Sequence, residues 1–166
     1  MGAITLTTDF GLGDWFVGTM KAVILGIHPR ANVVDITHEI PPGDIRAGAF
    51  ALMAGCRYFP NGTVHLAVVD PGVGGRRQAV AVRTASSFFV GPDNGVLSWA
   101  LALEKIETIR LLENRQYFLE PVSRTFHGPG NCGQRRFCRT AVRIENRRQG
   151  DRKDEPGINQ TFSVLR

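Results

Sequence analysis

Residues 3–28 read AITLTTDFGLGDWFVGTMKAVILGIH, and this stretch decides the fold class. Positions 3–8 are apolar or β-branched throughout, which suits a strand buried on both faces. The run stops at Asp9-Phe10-Gly11, a turn signal. Asp14 stands where a helix needs an N-cap. Phe16, Met20, Val23, Ile24 and Ile27 then recur at i, i+4, i+7, i+8 and i+11, which is one face of a helix, and Pro29 ends it. Strand, acid-bearing turn and amphipathic helix together open an α/β domain.

The same alternation continues outward. Residues 33–36 form a short strand, Pro41-Pro42-Gly43 breaks the chain, and Asp44 caps a second helix with Ile45, Ala49, Leu52, Met53 and Cys56 on its buried side. After the Pro60-Asn61-Gly62 turn, residues 64–69 make a nearly continuous apolar strand that runs into Asp70-Pro71-Gly72-Val73-Gly74-Gly75. Residues 79–82 and 88–90 read as two further strands. Pro92-Asp93-Asn94-Gly95 leads to a short helix with Val96, Leu97, Ala100, Leu101 and Leu103 inside. Residues 106–112 and 117–119 are weaker strand signals. The expected fold is therefore α/β over residues 1–128, a central sheet flanked by helices.

Composition bounds the function. A chain of 166 residues that is 43% apolar suits one domain with a proper core and excludes a disordered chain. No apolar run approaches the ~18–20 residues of a membrane helix, and the first residues lead directly into a strand without a signal-peptide pattern. Cys56, Cys132 and Cys138 are odd in number, widely spaced and without CxxC, so no disulfide framework or zinc site is indicated. The expectation is a cytoplasmic protein without metal or membrane partner.

The formal charge of +5 is unevenly placed: residues 1–128 hold 11 Lys/Arg and 11 Asp/Glu, and residues 129–166 hold 9 and 4. The basic character belongs to a tail that has lost hydrophobic periodicity, read as aberrant and disordered or poorly packed. Its only aromatics are Phe137 and Phe162, and the body is neutral, so nucleic acid is not an expected partner.

Asp9 and Asp70 each follow an apolar strand and precede a Gly-rich turn, where α/β sheets bind ligands. Each acid also suits a plain turn or cap, so the pair carries more weight than either residue alone. The Gly72–Gly75 run matches neither phosphate-binding glycine motif, and a strand rather than a helix follows it, so a Gly-rich hairpin is the better reading. His127, in Thr125-Phe126-His127-Gly128, closes the well-patterned region; a lone histidine is more often packed than catalytic.

Taken together, Thr7-Thr8-Asp9-Phe10-Gly11, Asp14 through Met20-Lys21, residues 41–49, Val68-Val69-Asp70-Pro71-Gly72-Val73-Gly74, Pro92-Asp93-Asn94-Gly95 and Thr125-Phe126-His127-Gly128 resemble one family. It is the S-adenosyl-L-methionine hydroxide adenosyltransferase family, related to the fluorinating and chlorinating enzymes that use the same substrate. The resemblance covers residues 3–128 in order. It implies an α/β N-terminal domain, a smaller β-rich C-terminal domain and a homotrimer with substrate between the N-terminal domain of one subunit and the C-terminal domain of the next. It also implies the site: Asp70, Arg77 and His127 match the Asp, Arg and His of hydrolase members, Asp9 the carboxylate on the ribose hydroxyls, and Asp14 a residue near the methionine end. S-adenosyl-L-methionine is the substrate, and no cofactor is implied.

After His127-Gly128 the sequence departs from the family, which continues into an Arg-Asp-Phe-Ala-Pro-like helix and the β-rich domain. The permitted codons, read two bases into that of Pro129, allow Arg-Glu-Leu-Trp and an Ala/Pro-rich apolar stretch. Residues 129–166 are therefore expected to be out of frame with the family, its C-terminal β-rich domain to be missing, and the chain to be a poorly active or inactive hydrolase. The alternatives are a non-catalytic S-adenosyl-L-methionine or adenosine binder and a halogenase.

Overall fold

The structure, a computed structural model, describes residues 2–72, 77–114, 142–146 and 160–164. Its first strand, β1 (Ile4–Thr8), is buried along its whole length, and so is β3 (Val64–Val68) beside it. Continuous apolar and β-branched runs produce this because helices cover both faces of the strands. Between them in sequence lie α1 (Phe16–Ile27), β2 (Val33–Thr37) and α2 (Ile45–Cys56). Beyond β3 come β4 (Ala79–Thr84), β5 (Phe88–Pro92), α3 (Ser98–Leu101) and β6 (Ile106–Leu111).

The six strands form one sheet in the order β2-β1-β3-β5-β4-β6. β1 pairs in parallel with both β2 and β3, and β3 in parallel with β5; β4 runs antiparallel between β5 and β6. Alternation along the strands divides the core into two layers. Ile4 and Leu6 of β1 and Val64, Leu66 and Val68 of β3 meet Met20 and Ile24 of α1 on one face. On the other, Ala67, Val69, Val82 and Phe89 meet Leu52 and Cys56 of α2 and Ala100 of α3. Each fully buried Leu in such a core stabilises the fold by about 1.5–3 kcal/mol.

The mixed sheet between helices is the expected α/β architecture, with differences in detail. Val17 is buried in α1, where the spacing had pointed to Phe16, Val23 and Ile27, and these three are only half-buried. Ile45 and Met53 of α2 are likewise half-buried. Leu103 is 62% exposed, because α3 ends at Leu101 and the chain turns toward β6 before position 103 can face inward. Strand signals at 117–119 lie outside the described residues. Within residues 129–166, β7 (Val142–Asn146) and β8 (Gln160–Val164) pair antiparallel as a separate two-stranded sheet. Among the described residues, no helix is long and apolar enough to cross a membrane.

Candidate active site

The strand order places a topological switch point between β1 and β3. From β1 the chain passes through α1 to β2 on one side, then through α2 to β3 on the other. Loops at the carboxyl ends of two such strands diverge and leave a crevice where ligands bind. Thr8 and Val68 are register partners at these ends, so the chain emerges from neighbouring strands about 4.8 Å apart. Asp9 is the first residue beyond β1 and Asp70 the second beyond β3. Two carboxylates remote in sequence thus share one edge of the sheet.

Each is fixed by the backbone around it. The Oδ2 of half-buried Asp9 accepts a hydrogen bond from the Gly43 N–H at 2.8 Å. Gly43 has φ of 75°, a left-handed conformation that glycine adopts without steric cost. The same glycine closes on the β3 loop: a β-carbon there would sit 3.3 Å from Cβ of Pro71. The other Asp9 oxygen, Oδ1, is buried with no hydrogen-bond partner among the described residues, a free acceptor at the crevice.

Asp70 is 7% exposed. Its Oδ2 forms an ion pair with Nη2 of Arg77, and its Oδ1 accepts from the Gly72 N–H at 3.2 Å. Arg77 Nη1 donates to the Gly72 carbonyl at 2.6 Å, so one guanidinium ties together both ends of the turn. A buried carboxylate needs such a partner, since an unpaired charge out of water is costly.

The structure brings Asp9, Asp70 and Arg77 together at this edge. Asp14 is exposed, and its Oδ1 accepts from the Phe16 N–H at 2.9 Å just ahead of α1; the N-cap expected at Asp14 falls instead on Trp15, which makes no side-chain cap. His127 lies outside the described residues, as do positions 73–76 of the glycine loop. The chain emerging from that loop enters β4, not a helix, so no helix N-terminus is available there for a phosphate. No group of three or more His, Cys, Asp or Glu that could hold a metal ion occurs among the described residues.

Two contributors were not legible as site residues. Gly43 lay in a stretch read as a chain break. Asn94, read as part of a turn, donates from Nδ2 to the Val69 carbonyl at 2.9 Å and accepts from the Val96 N–H at 3.1 Å. It therefore pins the backbone immediately before Asp70. Both lie in segments that carry the family resemblance, and their own signal is the turn chemistry of Pro-Gly and Asn-Gly pairs, which does not name a partner.

Residues 4–152 match the family model of the SAM hydroxide adenosyltransferase N-terminal domain. The chain belongs to this family. Over 126 residues, 75% of the chain and 48% of the relative, it is 46% identical to the (R)-S-adenosyl-L-methionine hydrolase of Salinispora tropica. Over 80 residues, 48% of the chain and 27% of the relative, it is 34% identical to a fluorinase of an Actinoplanes species. A solved structure of an uncharacterized conserved protein from Thermotoga maritima superposes with a TM-score of 0.67 at 43% identity, covering 69% of this chain and 45% of that one. This family member thus spans about half the length of the curated relatives it matches.

Proposed function

We propose that the crevice between β1 and β3 binds S-adenosyl-L-methionine and that water displaces methionine from its ribose C5′, giving adenosine and L-methionine. The observation that carries this reading is the ion pair of buried Asp70 with half-buried Arg77, one strand away from an Asp9 whose Oδ1 has no partner among the described residues. Similarity to the Salinispora tropica hydrolase, at higher identity and over a longer stretch than to the fluorinase, supports it.

The chemistry needs these residue types. A new C–O bond forms at C5′ as the C–S bond breaks, and the sulfonium leaves as a neutral thioether, so departure requires no general acid. The difficulty is the nucleophile, because water has a pKa near 15.7 and supplies little hydroxide at neutral pH. The Arg77 cation stabilises the developing hydroxide, while Asp70, with His127 as the third member, orients the water and takes its proton. The free oxygen of Asp9 accepts from the ribose hydroxyls and holds C5′ in line, a positioning effect worth several kcal/mol. Asp14 stands at the methionine end. A halide is a poor alternative nucleophile, since the buried Asp70 carboxylate repels an anion in a site of low dielectric.

The proposal includes a cytoplasmic homotrimer, in which exposed Leu12 and Trp15 beside the crevice find a covering surface. Chromatography of S-adenosyl-L-methionine incubated with the protein, with and without chloride, is the test. Adenosine and methionine are expected, falling by about 100-fold or more in Asp70→Ala. A chlorinated nucleoside would overturn the assignment of water as nucleophile, and intact substrate would reduce the reading to binding alone.

A further inference from the structure

The Asp9 turn is held from behind by a histidine that the reaction does not use. Thr8, the last residue of β1, shares by alternation the face of Ile4 and Leu6, the α1 face of the sheet. Its Oγ1 lies 2.8 Å from Nδ1 of His38 and accepts from the Phe10 N–H at 3.2 Å. The His38 carbonyl accepts from the Gly11 N–H at 2.7 Å. His38 therefore grips the turn by side chain and main chain, on both sides of Asp9. The imidazole is buried at 3% exposure, and its far edge faces a carboxylate: Nε2 comes within 3.1 Å of Asp35 Oδ1 without lining up along an N–H direction. Asp35 Oδ2 in turn accepts from Lys21 Nζ of α1 at 2.6 Å.

The tautomer of His38 sets the direction of its contact with Thr8. The carboxylate of Asp35 only accepts, and in the tautomer that carries its hydrogen on Nε2 the ring presents a lone pair at Nδ1. The Thr8 hydroxyl then donates to Nδ1 while its own lone pair takes the Phe10 N–H. Thr8 held in this way braces the backbone beside Asp9, and the Gly43 N–H holds its Oδ2.

We infer that His38, acting through the Thr8 hydroxyl, is a positioning residue: it sets the Asp9-Phe10-Gly11 turn so that Oδ1 of Asp9 is presented to the ribose diol. The ligand part of this inference rests on the adenosyl reading above, while the clamp itself does not.

Asparagine and glutamine separate the two edges of the ring. His38→Asn places an amide oxygen near the Nδ1 position and keeps the Thr8 contact, whereas His38→Gln reaches toward Asp35 and leaves Thr8 unpaired. Amide hydrogen exchange of the full chain, followed by NMR at Phe10 and Gly11, reads the clamp; calorimetric titration with adenosine reads its consequence. In His38→Gln and Thr8→Val, exchange at both amides is expected to rise about tenfold and adenosine affinity to fall about tenfold. His38→Asn and Thr8→Ser are expected to restore both, and the Leu66 and Ala67 amides of β3 to keep their protection in every variant.

Wild-type behaviour in His38→Gln would overturn the inference. So would a His38→Asn variant as impaired as His38→Gln, or loss of protection spreading to β3, since either reports general packing. If the exchange pattern holds while the wild-type chain binds no adenosine, the clamp stands and the adenosyl reading falls.

Discussion

Acidification should unfold this protein in two separate pH ranges, and the upper one belongs to His65. That residue sits at the centre of β3 with 1% of its surface exposed. Its Nδ1 is 2.8 Å from the Thr5 hydroxyl, and its ring lies against Phe89 at 5.0 Å and Phe59 at 5.8 Å. Loss of water around the imidazolium pushes its pKa down from 6.5 to about 4, an effect that the negative field of Glu104 only partly opposes. The unfolded chain therefore binds a proton between these values that the folded chain refuses. Stability is full above 6.5 and declines as pH falls toward about 4. The gap is worth on the order of 3 kcal/mol, a large fraction of the 5–15 kcal/mol typical of a domain. The carboxyl of Asp35 is also shifted: burial opposes its charge, but Lys21 and His38 outweigh this and hold it below 3.8, so its contribution disappears only at lower pH. Urea unfolding followed by far-ultraviolet circular dichroism from about pH 7.5 to about pH 4.5 tests the reasoning. The midpoint should fall steadily below 6.5 in the wild type and stay flat in His65→Leu. A flat wild-type curve, or an unchanged slope in the variant, would refute the assignment to His65.

Two further predictions concern the frame of the site. Asp44→Ala removes the acceptor of the Ala47 N–H at the start of α2, and should cost about 1 kcal/mol in denaturant unfolding. Gly91→Ala would place a β-carbon 2.7 Å from the Ala67 carbonyl oxygen and 3.3 Å from Leu97, where central strands leave no slack. It should destabilise by about 1–3 kcal/mol, seen as a lower urea midpoint, and a midpoint equal to wild type would show that the sheet yields there.

Much of the fold was legible in local pattern. The apolar run 3–8 became β1, the i, i+4, i+7 spacing became α1, and Asp44 caps α2, while Asp14 sits one residue before the N-cap of α1. These features depend on chain geometry of a few residues, so period and cap chemistry suffice to find them. Legibility failed where inward direction is set by distant neighbours. Val17 faces the sheet and Leu103 faces solvent because the sheet's position and the end of α3 settle those orientations, and periodicity alone does not.

For the site, the sequence by itself determined the residue types and their attachment: acids at the ends of two buried strands, with an arginine seven residues after the second. It did not determine that β1 and β3 are neighbours, which follows from the crossovers through α1 and α2 and makes the two acids share one crevice. Nor did it reveal that Gly43 meets Asp9, that Asn94 anchors the strand before Asp70, or that His38 grips the turn through Thr8. Each of these is a hydrogen bond between segments remote in the chain. Local propensity carries no information about such pairs, and only packing of the complete sheet brings donor and acceptor within reach.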